Sequence, residues 1–85
     1  MTLNEVIEII CGYGLRAKRE LLTCGATHVA IDDNGSIFAY KGEPRNDDPD
    51  GQEWLPGRGE EDRTVMYCGA TEYPGNWKSC VWKLP

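Results

Sequence analysis

Residues 27–41 read Thr27-His28-Val29-Ala30-Ile31-Asp32-Asp33-Asn34-Gly35-Ser36-Ile37-Phe38-Ala39-Tyr40-Lys41. Apolar side chains alternate with others on both sides of Asn34-Gly35, a dipeptide whose tolerance of positive φ favours a tight type I′ turn. The stretch therefore predicts a β-hairpin. With Asp33 facing Ser36 across the turn, Ile31 faces Phe38 and Val29 faces Tyr40, which gathers large apolar groups on one face. His28, Ala30, Asp32, Ile37, Ala39 and Lys41 then fall on the other face.

Upstream of this hairpin the period changes to that of a helix. Thr2 and Glu5 stand three apart ahead of an apolar series, the spacing of a capping box, so a helix should begin near Leu3. Leu3, Val6, Ile7, Ile10 and Cys11 recur on one helical face. Gly12 and Gly14 interrupt the pattern, and Leu15 to Thr23 resumes it with Leu15, Leu21 and Leu22, which predicts two short helices or one helix bent at the glycines. Downstream, Arg63 to Ala70 and Trp77 to Leu84 alternate on either side of Tyr73-Pro74-Gly75-Asn76 and predict a second hairpin. Cys68 opposite Cys80 brings Met66 opposite Trp82 and Thr64 opposite Leu84 on the core face. Val65, Tyr67, Trp77 and Val81 take the reverse face. The expected architecture is α+β, an N-terminal helix or two short helices packed on a four-stranded antiparallel sheet made of two hairpins. A chain of 85 residues has material for one such core, so 1–85 reads as a single small domain.

Between the hairpins, residues 42–62 hold three prolines and four glycines and read as a long loop. Glu43, Asp47, Asp48, Asp50, Glu53, Glu60, Glu61 and Asp62 stand against Arg45 and Arg58, which gives the loop −6 where the whole chain carries −5. The apolar runs are too short to cross a bilayer, and the first residues lack the basic start of a secretory signal, so the expected compartment is the cytoplasm. In that reducing environment the four cysteines are expected as reduced, metal-free thiols, and no cofactor is expected.

Cys24, His28, Cys68 and Cys80 contain no close Cys-x-x-Cys pair, so a zinc-stabilised domain stands only as an alternative, as does a bridge between Cys68 and Cys80. Asn46, Asp48, Asp50 and Gly51 match the first half of a calcium loop, but Gly57 occupies the place of its bidentate glutamate. His28 with Cys24, Asp32 or Asp33 could support acid–base chemistry, yet no catalytic motif accompanies them, and the chain reads as a non-enzyme. Arg16, Lys18 and Arg19 form the compact basic group, and the acidic balance of the chain argues against nucleic acid, leaving a small nucleic-acid-associated regulator as the second alternative. The remaining feature is an acidic loop beside aromatic residues, the composition of a protein interface with Asp47, Asp48, Asp50, Glu53, Trp54, Tyr67 and Trp77 as partner-binding residues. Either this aromatic face is open to a partner, or the loop folds back with Trp54 as its lid; the sequence allows both.

The run Ala30 to Tyr40, with Pro44, Trp54 and the closing Trp77-Lys78-Ser79, resembles small accessory proteins of tailed bacteriophages and prophages. Cys80 departs from the aliphatic residue expected after that last segment. The resemblance implies no catalytic residues. It implies a host-modulating role through protein binding in the bacterial cytoplasm, such as inhibition of a host enzyme or an antiviral defence complex.

Overall fold

The structure is a computed structural model that describes residues 2–12, 19, 23–47, 50–72 and 75–85. It has the expected α+β architecture. Helix α1 (Leu3–Gly12) is followed by strands β1 (His28–Ile31), β2 (Ser36–Lys41) and β3 (Arg63–Ala70), a short 3-10 helix (Trp77–Ser79) and β4 (Val81–Lys83). The capping box closes as its spacing predicts: the Thr2 N–H donates to Glu5 Oε1 at 3.0 Å and the Glu5 N–H to Thr2 Oγ1 at 3.3 Å. The second helical stretch, with Arg16 and Lys18, lies mostly outside the described residues. Arg19 and Thr23 do have helical backbone, and the Thr23 hydroxyl donates to the Arg19 carbonyl. Among the described residues no helix is long and apolar enough to cross a membrane.

The strands form one antiparallel sheet in the order β3-β2-β1-β4. Its central hairpin differs from the expected register by one residue: Ile31 pairs with Ile37, Ala30 with Phe38, Val29 with Ala39 and His28 with Tyr40. The cause lies in the turn. The Gly35 N–H bonds to the Asp32 carbonyl and the Asp32 N–H to the Ser36 carbonyl, both at 2.9 Å, so three residues close the loop instead of two. Gly35 takes the left-handed conformation at φ 89°, as three-residue hairpins require. The shift sends Val29, Ile31, Ile37 and Ala39 to the face covered by Val6 and Ile10 of α1, and Ala30 and Tyr40 to the opposite face.

The closing strands also pair differently from the expected Cys68–Cys80 register. β3 pairs with β2 and β4 with β1, which places them at opposite edges of the sheet. Between them in sequence, the 3-10 helix buries Trp77 on the second face. The expected core side nevertheless holds for most of these residues. Cys68 and Cys80 are buried as free thiols in the α1-side cluster, with Met66, Trp82 and Leu84 packed against it. Two register irregularities in β3 explain the exceptions: Val65 and Met66, though adjacent, both pack on the helix side, and Thr64, expected on the core face opposite Leu84, instead pairs with Tyr40 on the second face and is exposed, as bulges permit.

Gly35 and Gly25 separate two costs of adding a side chain. Both have positive φ, 89° and 77°, but a Cβ on Gly35 would overlap the Thr71 carbonyl oxygen, whereas Gly25 faces open space. Gly25→Ala should cost about 1–2 kcal/mol in urea unfolding, the conformational term alone. Gly35→Ala should cost clearly more, because it also breaks the contact between the turn and the end of β3.

Candidate functional site: an acidic cleft beside a closed aromatic layer

The loop 42–62 folds back over the second face of the sheet, and Trp54 is its lid. The Trp54 side chain is buried against Ala30, Tyr40 and Trp77, with the Trp77 ring edge-on at 6.2 Å between centroids. Its ring N–H donates to the Ile31 carbonyl at 3.0 Å and the Trp77 carbonyl at 3.3 Å, which ties the loop to both β1 and the 3-10 helix. The Trp54 backbone N–H donates to Asp32 Oδ1 at 2.7 Å, and the Tyr40 hydroxyl to the Trp54 carbonyl at 3.3 Å. A large indole can be buried here because its polar atoms find partners.

The remainder of the loop is held by its own pairing. Arg45 and Leu55 exchange backbone hydrogen bonds at 2.8 Å in each direction, and Arg45 Nε donates to the Pro56 carbonyl. Asp47 accepts from Arg45 at 2.8 Å and from Arg58 at 2.9 Å. The hydrogen bond from Arg45, with the Arg58 charge behind it, holds the Asp47 carboxyl below its ordinary value. Asn46 Nδ2 donates to the Lys78 carbonyl at 3.2 Å, so this residue of the calcium-loop pattern anchors the loop.

The docked loop and the β1–β2 turn enclose a cleft of about 400 Å³ lined by Asp32, Asp33, Asn34, Asp50, Gln52 and Glu53 among others. The Asp33 N–H donates to the Gln52 carbonyl at 3.2 Å and fixes the two walls relative to each other. Asp32 is buried. Desolvation raises its carboxyl above the ordinary 3.8, the Trp54 N–H pulls it down, and the Glu53 charge adds to the rise. The Tyr40 hydroxyl is raised by burial first and then by the charges of Asp32 and Glu53.

The partner-binding residues expected from sequence thus separate. Asp50 and Glu53 share the cleft, joined there by Asp32 and Asp33. Asp47 sits in its arginine pair, and Asp48 lies outside the described residues. Trp54 and Trp77 are occupied inside the fold, whereas Tyr67 is 54% exposed at the β3 edge, its ring 5.4 Å from Phe38. In the sequence, Asp32 and Asp33 stand out only as companions of His28. Their place beside the Asn-Gly turn was the available signal, since turn residues of a hairpin project from the end of the sheet.

The other constellations do not assemble. His28 is the first residue of the four-residue strand β1 and Asp32 follows its last, and the His28 ring contacts the Thr27 hydroxyl at 2.8 Å. Burial pushes the Cys68 thiol up to about 11 and raises Cys80 as well, which keeps both protonated at neutral pH. Among the described residues, no group of three His, Cys, Asp or Glu side chains is arranged to hold a metal ion, and Cys24, His28, Cys68 and Cys80 are all among them.

Two sets of variants test this arrangement. Trp54→Ala should cost about 3–5 kcal/mol in chemical unfolding, because it empties the lid and strands its carbonyl partners. Tyr67→Ala should cost no more than about 1 kcal/mol, the value of an edge contact with Phe38. For Asp32 the folded-state pKa lies above the unfolded one. The favourable bound proton therefore contributes fully below the unfolded pKa and is lost as pH rises through the folded value. Asp32→Asn keeps an acceptor for Trp54 and removes the charge, so its stability should gain on wild type between about pH 3 and pH 7. Asp32→Ala should instead cost about 1–3 kcal/mol across that range by leaving the Trp54 N–H unpaired.

Comparison of the chain with protein-family models, with curated proteins and with solved structures gave no match.

Proposed function

We propose that this chain is a non-enzymatic protein-binding module that presents its acidic cleft to a positively charged protein. The observation that carries this reading is the lining of that cleft. Asp32, Asp33, Asp50 and Glu53 converge there, and among the described residues no lysine or arginine lines it. The arginines of the loop are engaged with Asp47 instead. Such a one-signed concave surface raises the encounter rate with a cationic partner and disfavours anionic ones, nucleic acid included. Binding is favoured over catalysis because the acid–base candidates Asp32 and Asp33 line the cleft without His28, Cys24, Cys68 or Cys80 beside them. Taken with the resemblance to phage accessory proteins, the partner is a host bacterial enzyme or defence complex in the cytoplasm.

Affinity capture from a bacterial lysate tests this. Wild type should retain a protein at fixed stoichiometry that elevated salt releases. The triple variant Asp33→Asn, Asp50→Asn, Glu53→Gln should lose it while its melting temperature stays within a few degrees. Retention of nucleic acid without a protein, or equal retention by the variant, would reject the reading.

A further inference from the structure

The wall of the acidic cleft formed by Asp32, Glu53 and Leu55 also bounds a second cavity, of about 170 Å³. Buried Tyr40 and Trp54 line it, together with the partly exposed Phe38 and Pro56 and the exposed Thr64. The two neighbours differ in chemistry: one is lined by carboxylates and amides, the other mainly by rings and aliphatic groups. At 170 Å³ the second lies below the roughly 300–1,000 Å³ of small-molecule sites and has room for a single side chain.

We propose that the two cavities act as one groove for a protein segment carrying an apolar side chain one or two residues from a lysine or arginine. This rests on the protein-binding reading above and adds the chemistry of what is bound. The apolar group enters between Phe38 and Pro56, and the cation crosses the shared wall to the carboxylates. Charge complementarity selects this occupant. An uncharged apolar segment would cover Asp32 and Glu53 without a counter-charge, and a bare cation would leave the Phe38 side uncovered. Among the described residues neither cavity is lined by a lysine or arginine that would compete. The base is preformed, since Trp54 is fixed by hydrogen bonds to Ile31, Trp77, Asp32 and Tyr40, so little ordering is required on binding.

Amide NMR titration of the full chain tests the proposal with capped Gly/Ser heptapeptides whose centres are Leu-Ser-Arg, Gly-Ser-Arg or Leu-Ser-Glu. Leucine and arginine two residues apart project to one side of an extended peptide. The Leu-Ser-Arg peptide should shift the amides of Phe38, Glu53, Leu55 and Thr64 and bind about tenfold more tightly than either control. Thr64→Arg, which places a cation on the rim at an exposed position, should abolish that binding in a chain whose remaining spectrum is unchanged. Equal binding by Gly-Ser-Arg would show that charge alone acts and would overturn the two-part groove, while the salt-dependent protein captured above would leave the binding-module reading standing. Equal binding by Leu-Ser-Glu, no binding at these amides, or unaltered binding to Thr64→Arg would overturn the proposal as well.

Discussion

The seat of Trp54 is the contact on which the rest of this structure depends. A sheet of four strands with one described helix has a second face to cover, and an 85-residue chain has little material to do it. The solution is a loop that brings one indole to Ala30, Tyr40 and Trp77 and satisfies every polar atom it buries. Apolar area supplies the attraction, and the hydrogen bonds to Ile31, Trp77 and Asp32 determine where the ring can sit. The position of the loop follows from that insertion together with the Arg45–Leu55 pairing and the Asn46–Lys78 anchor.

The same insertion organises the charge. A free loop with net −6 would spread its acids through solvent, whereas this loop is divided into two electrostatic environments. Around Asp47 the arginines of the loop compensate the charge. At the turn, Asp32 is drawn into the protein to accept the Trp54 N–H and faces the Glu53 charge, so its ionised form is disfavoured. The fold thus carries a local electrostatic cost at Asp32, in the lining of the cleft.

The strand register shows how a short-range signal can be right in kind and wrong by one residue. Asn34-Gly35 does mark the hairpin, but Asp33 joins the loop, and the pairing moves by one position. Because side chains alternate, that single step exchanges the faces of Ile37 and Phe38, and of Ala39 and Tyr40, relative to their partners on β1. Both resulting faces are covered, one by α1 and one by the Trp54 loop. The alternation was readable because it is local. The register was not, since a two-residue and a three-residue turn differ in backbone conformation at Asp33, where residue type is permissive.

By itself the sequence determined the capping box at Thr2 and Glu5, the helical face of Val6 and Ile10, the hairpin at residues 27–41, the α+β class and the concentration of acid in residues 42–62. Each depends on side chains a few residues apart, where spacing alone dictates which groups meet. Tertiary structure decided that β3 and β4 occupy opposite edges, that Trp54 and Trp77 face each other inside, and that Asp32 and Asp33 join Asp50 and Glu53 around one cleft. Alternation along a strand specifies a face but not a neighbour. The choice of neighbour was settled by burial on both sides of the sheet at once, a constraint that exists only when the whole chain has closed.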